Sequence, residues 1–486
     1  MVRLLWNIFE LSLNIVYYLW STTIKRGTFI MEEKLAELAA KVAELEAKAA
    51  VTNTMFAETY YYLTIPLMVI IHAGFLAYEM GASRQKNVLA SGIKNILAFA
   101  FMIPTFYYFG WFVYWAWTPG LIPTAESWQT GIDYANPIGE VMGPNLADQA
   151  TGVFWGAFTL FAATTASIFS GSVIERIQVV GFCILAIILG SFAWVVAAAW
   201  GWSASGWMVT SWGYHDFGAA GVVHMIAGFF ALGVLINLGP RIGKFNEDGS
   251  ANNIGGHNLP FTLTGLMLII VGFFGFLMAC VIVPGEAWSW FPNKAASIYG
   301  TAMTLSSLSF NILMGFAGGI IGAWFITRDP FWMMSGALGG IISCAAGLDL
   351  YWPPLAFAVG FIGGAIMQPA AKMLESFKID DAVGAVTVHG TLGAWGVLAV
   401  GIFASGYPSL QGPAAEVPHI SFVGQLMGMI VMLLIGLVPG YICSLILNML
   451  GLLRVGEAAE RAGLDPVKVP NQAYPEGISP SATPAE

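Results

Sequence analysis

Beyond residue 50 the sequence is dominated by eleven apolar runs, at about 59–80, 92–117, 150–173, 178–201, 217–238, 260–284, 301–326, 333–349, 355–372, 384–405 and 420–450. A helix of about 20 such residues crosses about 30 Å of hydrocarbon. Only helices and closed barrels satisfy their backbone groups inside a bilayer, and barrel strands need only about 9–11 residues. The expected fold class is therefore an all-α polytopic membrane protein with eleven transmembrane helices. Composition agrees: 57% of residues are hydrophobic and 10% charged, against about 45–50% and about 25% in soluble domains. The 57 glycines suit helices that pack closely without a hydrophobic drive between them. The net charge of −9 and the lack of a basic patch give no reason to expect a nucleic-acid partner. Cys183, Cys280, Cys344 and Cys443 all lie in apolar runs without a CxxC pair, which reads as small buried hydrophobes.

Orientation follows from the basic residues. If the segment before the first run is outside, then of the basic residues beyond residue 50 twelve (Arg84, Lys86, Lys94, Arg176, Arg241, Lys244, Arg328, Lys372, Lys378, Arg454, Arg461 and Lys468) fall inside and one, Lys294, outside. That bias supports both the count and a cytoplasmic C-terminus in a cell (plasma or inner) membrane. Three regions result: an extension at 1–50, a membrane domain at 51–450 and a cytoplasmic tail at 451–486.

The extension has two parts. Residues 5–22 form a weaker apolar segment, broken by Asn7, Glu10 and Asn14. It reads as an interfacial helix, a weak anchor, or a stretch upstream of a start at Met31; a crossing here would place Lys25 and Arg26 outside. Within 31–49, Leu35, Leu38, Val42, Leu45 and Ala49 recur at heptad spacing among Glu and Lys, a short coiled-coil pattern.

Two segments match in register. Asp216 to Gly228 reads DFGAAGVVHMIAG and Asp381 to Gly393 reads DAVGAVTVHGTLG, with His eight residues after Asp in both. They open the fifth and tenth runs, which cross in opposite directions, so the expected architecture is a five-plus-five inverted repeat of the kind transporters use. Eight helical residues cover about 12 Å, which brings His224 from one face and His389 from the other towards the midplane. Two histidines there can share a proton through their ring nitrogens. The alternatives are packing residues, or a metal site, for which a third ligand is wanting; no metal is expected. Glu79 and His72 are unusual polar residues in the first run, and Glu79 is expected to snorkel or to pair with Arg84.

Taken in order, GFLAYEMGASRQKN (74–87), GSVIER (171–176), DFGAAGVVH (216–224), HNLPF (257–261), DDAVGAVTVHG (380–390) and AGLDPVKVPNQAY (462–474) resemble the ammonium transporter, methylammonium permease and Rhesus family, closest to its ammonium transporter branch. The resemblance implies a homotrimer in membrane lipid, with a pore in each protomer. It implies transport of ammonium or ammonia, with methylammonium as a second substrate, and neither enzyme activity nor a cofactor. His224 and His389 correspond to twin pore histidines, Asp216 to the acid beneath an outer recruitment site, and Trp202 to its aromatic, with Trp200 as runner-up. Phe161 and Phe276 correspond to stacked gate phenyls. Departures follow: the family's WFGFNAGS is FFGFLMAC here, so Phe273, Leu277 and Cys280 replace Trp, Asn and the recruiting Ser. The family's HGE is VPN at 469–471, which bears on a cytoplasmic PII-type regulator as partner. The competing functions are an ammonium sensor with little flux and a channel for another small neutral molecule.

Overall fold

A computed structural model describes residues 2–143, 149–282, 295–409, 417–469 and 471–475. Lys294, the one basic residue beyond residue 50 assigned outside, and Pro470 of the 469–471 departure lie outside these residues. Tertiary contacts divide the chain into Met1–Phe56 and Ala57–Glu486.

The first unit is helical, part of the helical span Val2–Ala82. Leu35, Leu38, Val42 and Leu45 are each more than half exposed within it, and Lys48 pairs with Glu44 at 2.6 Å, one turn apart. The side chain of Ala49, the last heptad position, lies outside the description.

In the second unit, ten helices among the described residues are long and apolar enough to cross a membrane: Glu58–Ala82, Gln85–Ala116, Val153–Ser172, Val179–Gly201, Ala220–Leu238, Leu259–Ala279, Leu305–Ile326, Pro353–Ser376, Val386–Phe403 and Phe422–Met449. The remaining expected run, 333–349, forms a shorter apolar helix, Pro330–Ala345. Its 16 residues span about 24 Å, because the helix, though it starts before the expected run, ends at Ala345. Asp329 accepts hydrogen bonds from the amides of Phe331 (2.8 Å) and Trp332 (3.3 Å) with Pro330 in the first position, a strong start signal, and Gly347 turns the chain back after Ala345. Among the described residues the fold is helical apart from three strands of two or three residues, Val281–Ile282, Ala295–Ser297 and Ala302–Met303. They pair antiparallel in that order, Val281 with Ser297 and Ala296 with Ala302.

Glycine sets how closely the helices approach. A Cβ on Gly319 would run into the carbonyl oxygen of Gly336, and one on Gly364 into that of Gly319. Leu305–Ile326, Pro330–Ala345 and Pro353–Ser376 are thereby packed backbone to backbone, as small-residue interfaces in membranes allow. The same device brings the two His-bearing segments together: a Cβ on Gly228 would collide with the amide of Gly390, and one on Gly393 with the carbonyl of Ala220.

The two ends of this bundle are tied differently. At one end, Tyr299 donates to the carbonyl of Gly201 (2.6 Å) and accepts from the amide of Asp216 (3.1 Å), and His215 meets the carboxylate of Asp349 at 3.0 Å. At the other end lies an ion-pair network: Arg84–Glu175 at 2.6 Å, Arg241–Glu175 at 3.7 Å, Arg241–Asp380 at 2.9 Å and Arg176–Asp380 at 3.9 Å. Burial opposes ionisation of both acids, but the guanidinium groups outweigh it. Arg241 and Arg84 hold Glu175 below its ordinary value, and Arg176 and Arg241 hold Asp380 well below its own. Burial dominates at Arg176, where it lowers the pKa to about 10 despite Asp380. The tail docks at this end. Asp465 accepts from the amides of Leu89 (2.9 Å) and Ala90 (2.8 Å), the side chain of Asn87 accepts from Leu464 N–H (2.8 Å), and Tyr474 meets His257 at 2.9 Å.

Candidate functional site: a paired-histidine core behind an aromatic ladder

Both matched segments fold by the same local logic. Asp216 is fully buried, and its Oδ2 accepts from the amides of Gly221 (2.9 Å) and Val222 (2.8 Å). Asp381 accepts from the amides of Ala385 (3.0 Å) and Val386 (2.7 Å) and from the Ser172 hydroxyl (2.9 Å). Each carboxylate thus caps a helix N-terminus, where unpaired N–H groups and the dipole favour a negative charge. Three residues after each Asp the backbone turns left-handed, at Ala219 (φ 64°) and Gly384 (φ 78°). Each helix then opens with a wider π turn, Ala220–Met225 and Val386–Thr391, that carries the histidine. Such turns break the regular ladder and recur at functional sites.

His224 and His389 meet at the centre. Their Nδ1 atoms are 3.0 Å apart, with ring centroids at 5.2 Å and planes 27° apart. One Nδ1 must donate and the other accept, so the pair holds one proton between the two nitrogens. His224 Nε2 has no hydrogen-bond partner among the described residues. His224 is fully buried and His389 nearly so.

An aromatic ladder leads from Trp202 to this pair. Trp202 meets Phe161 edge to face at 4.9 Å, Phe161 meets Phe276 at 4.5 Å and 76°, and Phe276 lies against His224 at 5.7 Å. The two phenyls expected to be stacked are therefore T-shaped, an arrangement that sets the positive edge of one ring on the negative face of the next. Trp202 is the indole of the ladder. Its N–H donates to the Phe217 carbonyl (3.1 Å) and Phe158 stacks on it at 5.3 Å and 26°. Trp200 instead donates to the Trp117 carbonyl (3.0 Å) and packs on Trp207. Cys280 is buried at the end of the Leu259–Ala279 helix, with its thiol 3.3 Å from the Phe276 carbonyl.

Two rings have places that the sequence reading did not give them. Phe158 shares a helix face with Phe161 at i, i+3 spacing, a signal that was available. Phe273, noted only as a replacement for Trp, stacks on His224 at 5.8 Å and 11°. Glu79 neither snorkels nor pairs with Arg84, because Arg84 is taken by Glu175 and Glu79 is fully buried. Lys94, counted with the inner basic residues, is 2% exposed within Gln85–Ala116.

On the far side of the histidines two spaces open. A cavity of about 530 Å³ reaches from Arg241, Lys244 and Asn252 to Asp381, Gly384 and Thr387. A void of about 20 Å³ is enclosed by His389, Tyr78, Glu79, Ser335 and Val383. No group of three or more His, Cys, Asp or Glu among the described residues could hold a metal ion.

The sequence profile of the Ammonium Transporter Family matches residues 60–474. Ammonium transporter Amt1 of Methanocaldococcus jannaschii is 31% identical over 86% of this chain and 96% of its own. Ammonium transporter Amt2 of Archaeoglobus fulgidus is 30% identical over 84% and 86%. Among solved structures, a sensor Amt protein aligns with a TM-score of 0.70 at 26% identity, covering 85% of this chain and 98% of its own. Mep2 of Saccharomyces cerevisiae, at 19% identity and TM-score 0.66 over 83% and 88%, shares the fold.

Proposed function

The chain belongs to the ammonium transporter family and transports ammonium across a membrane, and from that premise we propose how its own residues do so. Ammonium is gathered at Trp202 and Phe161, passes Phe276, and gives up a proton at the His224–His389 pair. Ammonia then continues towards the large cavity at Thr387. The observation that carries this reading is the 3.0 Å contact between two buried Nδ1 atoms at the end of an aromatic ladder. Magnitudes decide why deprotonation is needed. An aromatic face attracts a cation by roughly 0.5–2 kcal/mol, whereas a charge at the bilayer centre costs about 3 kcal/mol or more. Recruitment alone leaves a barrier, and shedding the charge removes most of it. Asp216 acts through its cap and its negative field rather than as a ligand, since both of its strong contacts are backbone amides.

The finer architecture is part of the proposal. The short Pro330–Ala345 helix serves as an eleventh crossing, and the two capped π turns are halves of an inverted repeat. The ion-pair network and docked tail face the cytoplasm, so a PII-type regulator would act at the tail. The protein assembles as a homotrimer in lipid, with the 31–49 heptads adding self-association. Light scattering of the purified protein in mild detergent that returned a monomer or dimer would sink the trimer.

Ammonium-evoked current is to be measured in proteoliposomes for wild type, His224→Ala and His389→Ala at equal reconstitution. Both variants are expected to be silent. Full, still ammonium-selective current in both would falsify the paired-histidine mechanism. Ammonium binding by wild type without current would favour the sensor reading that the neighbouring sensor Amt protein suggests.

A further inference from the structure

Beside the histidine pair lies a second set of buried charges that the transport mechanism above leaves unused. Glu79, on Glu58–Ala82, and Lys94, on Gln85–Ala116, both lie within membrane-crossing helices. Glu79 is 0% and Lys94 2% exposed. One Glu79 oxygen accepts a short hydrogen bond from the Ser170 hydroxyl, and Asn95 in turn donates to Ser170 at 3.1 Å. The other oxygen, Oε2, has no hydrogen-bond partner among the described residues, and neither has Lys94 Nζ, which lies 5.8 Å over the ring of Phe182. A carboxylate and an ammonium at such depth are costly unless paired or functional. Here they balance each other's charge without closing a contact, which leaves a carboxylate oxygen free to take a proton.

The Glu79 carboxyl is not isolated from the pore. Glu79 and His389 line the same void of about 20 Å³, and about 10–15 Å³ suffices for one water given polar partners. Tyr78 and Ser335 also line it. We propose that Glu79 is the proton acceptor for the histidine pair, receiving the proton across this void while Lys94 holds the compensating charge. The proposal rests on the paired-histidine reading. In the step, an N–H bond breaks on the protonated pair and an O–H bond forms on Glu79 through one bridging water, which gains one proton and gives up another. The imidazolium becomes imidazole and the carboxylate becomes carboxylic acid. The Glu79–Lys94 couple passes from neutral to one positive charge, carried on Lys94, and nothing is oxidised or reduced. Ammonia moves on towards Thr387 while the proton sits one helix away, so immediate recombination in the pore is avoided.

The test uses the full chain in proteoliposomes, with ammonium chloride as probe. Two quantities are read: ammonium-evoked current, and ammonia entry from the alkalinisation of a trapped pH dye. Glu79→Gln keeps the volume and the Ser170 contact. It should cut current about a hundredfold, the lower end of what a positioned proton-transfer group contributes, while ammonia entry stays near wild type. Glu79→Asp should restore part of the current. A purely structural Glu79 would lose both quantities together, and that result, or wild-type current in Glu79→Gln, overturns the proposal. If His389→Ala is silent while Glu79→Gln conducts normally, only this inference falls; if His389→Ala conducts normally, the underlying mechanism falls with it. A second measurement starts from wild type: infrared difference spectra on adding ammonium chloride should show a new protonated-carboxyl band, displaced in Glu79→Asp. A wild-type spectrum without such a band also overturns the proposal.

Discussion

At position 280 stands a thiol where the family resemblance leads one to expect a hydroxyl. Its hydrogen bond is spent on the Phe276 carbonyl one turn back. A thiol is a weak donor and a weak acceptor, so it adds little to a cation arriving at Trp202. Cys280→Ser should therefore improve apparent ammonium affinity or leave it unchanged. The gain is bounded by about 1 kcal/mol, the net worth of one hydrogen bond, or a few-fold in the half-saturating concentration of the current. A severalfold loss would mean that sulfur itself contributes. The histidines could be found from sequence because each was marked twice, by its spacing from Asp and by its counterpart in the other segment. Phe273 and Glu79 had no such counterpart, so the ring stacked on His224 and the carboxyl that shares a void with His389 appear only once the helices are in place.

At the scale of the element, the long helices were legible because apolar length is a property of the chain itself. What the periodicity of an apolar run does not encode is a local change of helical pitch. The π turns at Ala220–Met225 and Val386–Thr391 follow the caps at Asp216 and Asp381 and the left-handed residues Ala219 and Gly384, local backbone features that hydropathy does not record. The run at 333–349 reads as a full crossing on hydropathy alone, yet Asp329 and Pro330 start its helix early and it ends at Ala345. Glycine at 228 is the element-scale constraint on the site, because a methyl there meets the Gly390 amide next to His389. Gly228→Ala should cost about 1–3 kcal/mol, as overpacking does, and spread the histidine nitrogens beyond hydrogen-bonding distance. The checks are the melting temperature in detergent and the ammonium current. A variant with wild-type values of both would show that the crossing can relax.

For the whole molecule, the Arg84–Glu175–Arg241–Asp380–Arg176 network joins segments far apart in sequence at one end of the bundle. Removing one member of a buried pair leaves a charge uncompensated, so Asp380→Asn should lower stability by about 3 kcal/mol. Asp380 and Glu175 are both held below their ordinary values, so their contribution is complete above about pH 5, where the unfolded carboxyls are ionised. It is lost as pH falls through the depressed folded values. The gap in melting temperature between wild type and Asp380→Asn should thus be full at neutral pH and narrow in acid; a gap that widened in acid would reverse the assigned sign. The aromatic ladder has a different consequence. Trp202, Phe161, Phe276 and His224 are all 0–1% exposed, so the route proposed above is shut unless rings swing aside. If ammonium takes the proposed route, every molecule carried must wait for that fluctuation. Such a protein works like a turnstile, admitting one at a time, and gives up throughput to keep the membrane's ion gradients from draining through it.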